Sequence, residues 1–191
     1  MEKELEQQPS ALLKIVLFGP ESTGKTTLSR KLADHYKTNW VAEYAREYLQ
    51  EKWDTEGLIC EPKDIIPIAK GQIELENNMA LTANKVLICD TDLLETKVYS
   101  QAYYNGMVPQ QLNEAIDKNK YDLYLLTYID TPWEADDLRD KPNNREDMFT
   151  AFEQTLIAHN KPYLLLKGNK ETRLQTAIKT IDKLLGDKST E

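Results

Sequence analysis

The chain has 191 residues, of which 40% are hydrophobic and 29% are charged, and its formal net charge is −8 at pH 7. This length is typical of one domain that buries its own core, whereas the acidic balance disfavours a nucleic-acid surface, which needs basic patches. No apolar run reaches the roughly 18 residues of a membrane span, and the acidic first residues differ from a secretory signal. We therefore expect a cytoplasmic protein with neither membrane nor nucleic-acid partners, comprising a flexible lead over residues 1–10 and one domain over 11–191. The oligomeric state stays open.

Short apolar runs alternate with longer amphipathic segments along the chain. The apolar runs predict strands over residues 12–18, about 40–42, 85–89, 121–129 and 162–167. The amphipathic segments predict helices over 25–36, 43–52, about 63–81, 93–104, 110–118, 147–159 and 171–185. This alternation is typical of an α/β fold in which helices cover both faces of a mainly parallel five-stranded sheet. We expect the last helix to pack against the sheet without taking part in chemistry, because its apolar residues recur at helical spacing.

The stretch GPESTGKTT, residues 19–27, directly follows the first predicted strand and opens the first predicted helix. It matches the P-loop pattern G-x-x-x-x-G-K-[ST], in which backbone N–H groups and a helix N-terminus face phosphate groups. We expect Lys25 to reach the β- and γ-phosphates of ATP and Thr26 to coordinate Mg²⁺. The motif predicts a P-loop NTPase fold of three layers. Its predicted nucleotide-binding residues are Gly19, Glu21, Ser22, Thr23, Gly24, Lys25, Thr26 and Thr27.

A P-loop alone fits a switch GTPase, a motor-type ATPase or a small-molecule kinase. The guanine signature N-K-x-D has its nearest candidate in residues 160–163, which read NKPY and lack the acid. A motor-type ATPase usually ends its second acidic strand with Asp-Glu, whereas residues 86–92 read VLICDTD. Asp90 ends a buried strand at the edge where open sheets bind ligands, so we expect it to hold Mg²⁺ through water. Asp92 is a candidate catalytic carboxylate, and the alternative for both acids is a role at the helix start.

The stretch EYAREY, residues 43–48, follows the short second strand at the same predicted sheet edge. A carboxylate there can accept the proton of an attacking hydroxyl, and an arginine one turn away can pair with phosphate or with the acid. Glu43 is therefore the predicted base, with Arg46 beside it. The alternative is a helix-start acid in an i, i+3 pair with Arg46.

The segment TPWEADDLRDKPNNRED, residues 131–147, is dense in charge and proline and follows the fourth predicted strand. This composition predicts a mobile lid over the site. Arg139 and Arg145 are its candidate catalytic residues, because lid arginines neutralise charge on a transferring phosphoryl group while the lid excludes water. The alternative is a solvated charged loop.

Together these motifs resemble the ribosylnicotinamide kinase domain of NadR-type bacterial NAD-salvage proteins. The resemblance covers about residues 14–185 and is carried by GPESTGKTTL, EYAREY, CDTD, the Tyr-x-Gly of 104–106 and the W-x-x-D-x-L-R of 133–139. It implies a phosphotransferase that moves the γ-phosphate of ATP, with Mg²⁺, to the 5′-hydroxyl of nicotinamide riboside and yields nicotinamide mononucleotide. The alternatives are a kinase for another nucleoside or nucleotide, and a P-loop switch or ATPase without a small-molecule acceptor.

The chain departs from this family pattern at its start and in its base pocket. Full-length members carry a nucleotidyltransferase domain with a His-x-Gly-His signature, and some carry a DNA-binding helix-turn-helix. Because the first strand begins near residue 12 and the only histidines are His35 and His159, we expect a stand-alone kinase domain. Relatives place a tryptophan directly before Glu-Tyr, whereas this chain has Ala42 there and Trp40 two residues earlier. A flat cationic ring suits an aromatic face, and the predicted substrate-binding residues are Trp40, Glu43, Tyr44, Arg46, Asp90, Tyr104 and Trp133.

Overall fold

A computed structural model describes residues 5–134 and 144–188 of the chain. These residues form one five-stranded sheet in the order β2-β3-β1-β4-β5, and every neighbouring pair of strands is parallel. The strands are β1 (Leu13–Phe18), β2 (Trp40–Val41), β3 (Val86–Asp90), β4 (Leu123–Thr127) and β5 (Tyr163–Leu166). The predicted parallel α/β sheet is confirmed, with all five strands in the predicted places.

Seven α-helices connect and follow these strands in the described part of the chain. They are α1 (Lys25–Tyr36), α2 (Tyr44–Glu56), α3 (Ile65–Ala80), α4 (Leu93–Tyr103), α5 (Gln110–Lys118), α6 (Arg145–Ala158) and α7 (Lys170–Lys188). A 3₁₀ turn, Pro62–Asp64, precedes α3. The predicted helices are thus confirmed, and none of the described helices is long and apolar enough to cross a membrane.

Two hydrophobic clusters cover the two faces of the sheet. Successive side chains of a strand point to opposite faces, so Val16 and Phe18 of β1 join the cluster with α3 to α6. Ile15 and Leu17 join the other cluster, which includes residues of α1 and α7. Because both faces are covered, β1 and β3 are buried along their whole length. This burial explains their continuous apolar sequences.

The first described residues lie within the lead predicted to be flexible, and they contact the rest of the domain. Leu5 is buried and belongs to the cluster on the α3 to α6 side. The side-chain amide of Gln7 donates to Glu76 Oε1 at 2.8 Å and to the Lys120 carbonyl oxygen at 3.1 Å. Residues 5–8 are therefore anchored to the domain, because an apolar side chain is buried and polar groups find partners on α3 and beyond.

The parallel arrangement brings the predicted functional segments to one edge. All strands end at the same side of the sheet, where open α/β folds bind their ligands. The P-loop follows β1, Glu43 follows β2, and Asp90 is the last residue of β3. Leu17 of β1 lies opposite Asp90 in the strand register, which places the carboxylate level with the start of the P-loop.

Candidate active site

The P-loop between β1 and α1 depends on two glycines. Gly19 has φ 139°, and a Cβ there would lie 2.6 Å from Thr127 Oγ1 and 2.9 Å from the Thr127 carbonyl oxygen. Gly24 adopts the left-handed conformation, with φ 84°, immediately before α1. The buried hydroxyl of Thr23 donates to the Pro20 carbonyl oxygen at 2.8 Å and lies 2.6 Å from Thr127 Oγ1. The loop is therefore held against the end of β4, where Gly19 leaves no room for a Cβ, and Gly24 has a left-handed conformation that favours glycine.

Lys25 is buried at the first position of α1, and its ammonium is folded back onto the loop. Nζ donates to the carbonyl oxygens of Gly19 at 2.6 Å and Pro20 at 3.1 Å. It also lies 3.3 Å from Oε1 of Glu95 on α4. Burial alone would lower the pKa of Lys25, but Glu95 and two further nearby carboxylates raise it above its ordinary value. Lys25 is thus a fixed cation at the position where the P-loop motif places a phosphate ligand.

The two predicted metal ligands lie together beside Lys25. The Thr26 hydroxyl donates to Asp90 Oδ2 at 2.5 Å, and Asp90 is fully buried. Asp90 Oδ1 has no hydrogen-bond partner among the described residues. Burial, together with the charge of Glu43, raises the pKa of Asp90 to about 6. A hydroxyl and a buried carboxylate with one oxygen free of hydrogen bonds to the described residues fit Mg²⁺. This ion prefers hard oxygen ligands and keeps several waters.

A cavity of about 280 Å³ opens beside Lys25, between α2, α3 and α4. Its volume is close to the lower end of the range for small-molecule sites. Carboxylates and aromatic rings share its wall, together with Lys25, Arg46 and several aliphatic side chains. The carboxylates are Glu21, Glu43 and Glu95, and the aromatic residues are Trp53, Tyr99, Tyr103 and Tyr104. The site therefore offers acidic groups near the P-loop and flat apolar surfaces around them.

Glu43 faces this cavity because another residue caps α2. Glu43 immediately precedes α2 but makes no side-chain capping bond. Gln72 of α3 accepts a hydrogen bond from the Tyr44 backbone N–H at 2.9 Å and donates to the Ala42 carbonyl oxygen at 3.1 Å. Glu43 Oε2 lies 3.8 Å from Nε of Arg46, and both side chains are part-exposed, so this pair is weak. Glu43, the carboxylate predicted as the base, therefore does not cap α2 and stays at the cavity wall.

Asp92 has a structural role, which corrects its prediction as a catalytic carboxylate. It is the N-cap of α4, and its Oδ1 accepts from the backbone N–H groups of Leu94 at 3.1 Å and Glu95 at 3.3 Å. Its Oδ2 accepts from the Tyr124 hydroxyl at 2.7 Å. Asp92 is only 3% exposed and does not line the cavity. Both oxygens accept hydrogen bonds from the protein, and the carboxylate is buried away from the cavity, so an incoming hydroxyl in the cavity does not reach it.

This arrangement predicts that Asp92→Asn lowers stability and leaves phosphate transfer within a few-fold of the wild-type rate. The amide retains one oxygen for the cap but lacks the second oxygen that accepts from Tyr124. A buried hydroxyl left without an acceptor lowers the free energy of unfolding by about 1–3 kcal/mol. A lost general base would instead reduce kcat by about 10²- to 10⁴-fold. Thermal unfolding and steady-state turnover of the same preparation distinguish the two roles, and a loss of kcat of that size with an unchanged Tm contradicts the capping role.

Two predicted aromatic contacts lie outside the cavity. Trp40 packs against the cluster on the α1 and α7 side, with the Arg30 guanidinium 4.9 Å from its ring centroid. The Tyr44 ring packs on Gly71 of α3, where a Cβ would come within 2.0 Å of it. The predictions for Trp40 and Tyr44 as substrate contacts are therefore corrected, because both rings are used in packing. Tyr104, in contrast, lines the cavity, so its contact with substrate stays a prediction.

The described ends of the predicted lid contact the P-loop. Arg145, the first residue of α6, donates to the Thr131 carbonyl oxygen at 2.8 Å and to the Ser22 carbonyl oxygen at 3.2 Å. Its guanidinium lies 5.8 Å from the Trp133 ring centroid. Trp133 and Arg145 line a small cleft beside the P-loop, and neither lines the large cavity. Arg139 lies outside the described residues.

Comparison with known proteins decides the family. Residues 14–173 match a family model described as an AAA domain, which covers most of the chain. The chain belongs to the AAA domain family. Its predicted resemblance to NadR-type P-loop kinase domains is also confirmed, by the relative and the solved structures that follow.

The trifunctional NAD biosynthesis/regulator protein NadR of Escherichia coli (strain K12) is 32% identical to this chain over 134 residues. The match covers 70% of this chain and 32% of that protein, so the chain spans about a third of the length of the curated relatives that it matches. A solved NadR protein in complex with NR has TM-score 0.77 at 23% identity, covering 92% of this chain and 52% of that one. A deoxyadenosine kinase from M. mycoides with bound dATP has TM-score 0.60 at 16% identity, covering 89% and 99%.

Several side chains of this AAA-family site were not predicted from the sequence. Glu95 and Tyr99 are four residues apart, which puts them on one face of α4, and both line the cavity. The hydroxyl of Tyr99 also accepts a hydrogen bond from the Glu21 backbone N–H at 3.1 Å. The sequence could have indicated both residues, because they follow the end of the Asp90 strand on a helix that starts at the same edge of the sheet. Trp53 at the end of α2 offered no comparable signal.

The AAA-family chain also uses α7 to support its P-loop, in addition to the packing against the sheet that was expected of this helix. Arg173 is 4% exposed and donates to the Thr23 carbonyl oxygen at 2.7 Å. It further donates to the carbonyl oxygens of Tyr128 at 2.8 Å and Gly168 at 2.9 Å, and it pairs with Asp130. One guanidinium therefore joins the P-loop to the segments that follow β4 and β5.

Proposed function

We propose that this chain is an ATP-dependent kinase that phosphorylates the 5′-hydroxyl of nicotinamide riboside and yields nicotinamide mononucleotide. The observation that carries the proposal is the composition of the cavity beside Lys25. Three carboxylates and four aromatic residues line it. A flat pyridinium cation is attracted both to aromatic faces and to carboxylates, whereas a neutral base gains little from the acidic groups. The match to NadR-type domains supports the same acceptor.

The phosphate end of ATP would bind the P-loop in this proposal. Backbone N–H groups of residues 19–27 and the start of α1 favour anions. Lys25 turns from the loop carbonyl groups to the β- and γ-phosphates. Thr26 and Asp90 would hold Mg²⁺, which would supply charge neutralisation at the phosphate oxygens. Arg145, which contacts Ser22, and Arg139 add positive charge to the transferring group.

The transfer itself needs a nucleophile, a leaving group and a place for one proton. The 5′-hydroxyl oxygen of the acceptor attacks the γ-phosphorus in line, and the bond between that phosphorus and the bridging oxygen of ADP breaks. Glu43 takes the hydroxyl proton. Its carboxylate suits this role because it faces the cavity and makes no capping bond.

The decisive experiment measures ADP release from Mg·ATP with a panel of acceptors. The panel contains nicotinamide riboside, nicotinic acid riboside, adenosine, deoxyadenosine, thymidine, dTMP and no acceptor. We expect the highest kcat/KM with nicotinamide riboside. Nicotinic acid riboside should be poorer by about tenfold or more, because its added carboxylate meets the carboxylates of the cavity.

The other outcomes of this panel identify the alternatives. Preferred turnover of a different nucleoside or of dTMP would retain the kinase and replace the acceptor. Slow ADP release that is equal with and without acceptors would overturn the kinase and favour a nucleotide-dependent switch. A mass-spectrometric check that the phosphate appears on the acceptor separates transfer from stimulated ATP hydrolysis.

A further inference from the structure

Glu95 is a buried carboxylate that forms an ion pair with Lys25 but has no well-formed hydrogen bond among the described residues. The residue is 3% exposed and lines the large cavity from the first turn of α4. Neither Oε1 nor Oε2 has a hydrogen-bond partner among the described residues. Buried polar groups are nearly always hydrogen-bonded, and an unpaired buried carboxylate is costly. Glu95 can therefore accept a hydrogen bond from a donor that a ligand brings into the cavity.

The charge of Glu95 is balanced by Lys25. Their side chains form a buried ion pair, with Nζ 3.3 Å from Oε1, and both are less than a tenth exposed. Lys25 also donates to the carbonyl oxygens of Gly19 and Pro20. Three oxygen atoms of the protein thus hold the ammonium in a position folded back onto the loop.

ATP and Glu95 compete for the same ammonium. When Lys25 turns to the β- and γ-phosphates, it leaves the carbonyl groups of the loop and weakens its pairing with Glu95. The Pro20 carbonyl oxygen keeps a donor in the hydroxyl of Thr23, whereas neither oxygen of Glu95 has a hydrogen-bond partner among the described residues. Removal of one partner of a buried pair is strongly unfavourable unless a new partner replaces it.

An acceptor riboside brings the donors that Glu95 needs. A carboxylate only accepts hydrogen bonds, and each ribose hydroxyl offers one O–H donor. Glu95 lies at the P-loop end of the cavity, beside the lysine that meets the transferring phosphate, so the sugar of the acceptor is the part that comes nearest. We infer that Glu95 is an acceptor-binding residue: it pairs with Lys25 in the ATP-free site and accepts a hydrogen bond from a ribose hydroxyl once ATP has drawn Lys25 away.

This exchange couples the two binding events. ATP binding leaves Glu95 in need of a donor, and an acceptor hydroxyl supplies it, so each substrate increases the affinity for the other by the same factor. The inference rests on the proposed function for the use of Lys25 by ATP. It does not depend on the base of the acceptor, since every riboside carries the hydroxyl groups.

The first test measures the binding of nicotinamide riboside by calorimetry, with and without Mg·AMP-PNP. The wild-type protein should bind the riboside about tenfold or more tightly when AMP-PNP is present. Glu95→Gln should reduce the affinity in the presence of AMP-PNP by about ten- to a hundredfold, and the factor between the two conditions should fall to near one. Glu95→Asp should recover part of the factor.

A second buried lysine–glutamate pair provides the matched control. Glu76 is 1% exposed, accepts from Lys14 at 2.8 Å and from the Tyr121 hydroxyl at 2.7 Å, and does not line the cavity. Glu76→Gln should lower the Tm and preserve the wild-type coupling between the two ligands. Equal loss of coupling in Glu76→Gln and Glu95→Gln would overturn the inference, because general destabilisation would then explain both.

A double-mutant cycle locates the hydrogen bond itself. Nicotinamide riboside and its 5′-, 3′- and 2′-deoxy analogues are titrated against the wild-type protein and Glu95→Gln, with AMP-PNP present. Removal of one particular hydroxyl should weaken binding to the wild-type protein and make little difference in the variant. Equal losses in both proteins for all three analogues would overturn the inference. It would also be overturned if Glu95→Gln changed only the Mg²⁺ concentration needed for half-maximal turnover and left riboside binding unchanged. If the acceptor panel selects another nucleoside, the same cycle on that nucleoside tests Glu95 independently of the proposed substrate.

Discussion

Lys25→Met should abolish measurable phosphate transfer while the protein remains folded. The ammonium is the cation that the P-loop offers to the β- and γ-phosphates, and loss of one preorganised donor to a transition-state oxyanion costs about 10²- to 10³-fold in kcat. Weaker binding of ATP adds to this loss, so kcat/KM for ATP should fall further than kcat. Coupled-assay turnover and the Kd of AMP-PNP measure the two contributions separately.

The same substitution leaves Glu95 without its cation, so stability has to be measured together with turnover. Breaking a buried pair costs about 3–5 kcal/mol when the remaining charge is left unpaired. Burial already raises the pKa of Glu95 well above its ordinary value, so a proton can relieve part of this cost. The double variant Lys25→Met/Glu95→Gln should therefore regain Tm without regaining turnover. Lys31→Met, an exposed change on the same helix, should leave both quantities near wild type, and turnover that returns in the double variant would contradict the role of Lys25.

Local sequence patterns sufficed for the sheet and for the P-loop. The strands of this fold are short apolar runs because both sheet faces are covered, and the helices between them keep an apolar face. Gly19, Gly24, Lys25 and Thr26 act within nine consecutive residues, so their spacing alone describes the phosphate-binding geometry. The encounter of Thr26 with Asp90 also followed from the sequence, since parallel strands β1 and β3 end at one edge.

The roles of the two acids near strand ends could not be predicted, because they depend on distant partners. Asp92 and Glu43 both precede helices, and each could have been a cap or a base. Tyr124, 32 residues from Asp92, occupies one oxygen of its carboxylate. Gln72 of α3 makes the capping contacts at the start of α2 and leaves Glu43 facing the cavity. Side-chain packing in three dimensions, which no local pattern contains, makes Asp92 a cap and leaves Glu43 at the cavity wall.

The aromatic wall of the cavity could not be predicted for a related reason. A tryptophan at the start of a two-residue strand points to one face or the other, and Trp40 packs on the side of α1 and α7. Trp53, three turns into α2, reaches the cavity instead. Its contribution depends on the length and direction of α2 relative to α4, which are set by contacts between helices.

Glu43→Gln should lower kcat by about 10²- to 10⁴-fold, the range for loss of a positioned general base. The amide keeps the size and hydrogen-bonding ability of the side chain but cannot take the proton of the acceptor hydroxyl. Because Glu43 makes no capping bond and its pair with Arg46 is long and part-exposed, the Tm should change little. Turnover with saturating ATP and nicotinamide riboside, together with thermal unfolding, measures both effects.

Glu47→Gln is the matched control, because Glu47 lies one turn later on the same helix and its side chain is exposed. It changes the same charge near the start of α2 without touching the cavity, so its kcat should equal that of the wild-type protein. A large loss of kcat in Glu43→Gln alone assigns the effect to the carboxylate at the cavity wall. If Glu43→Gln instead raises KM for the acceptor and retains kcat, then Glu43 binds the acceptor in its ground state and the proton is taken elsewhere. Glu95 is the carboxylate to test next in that case, since it also lines the cavity and lies beside Lys25.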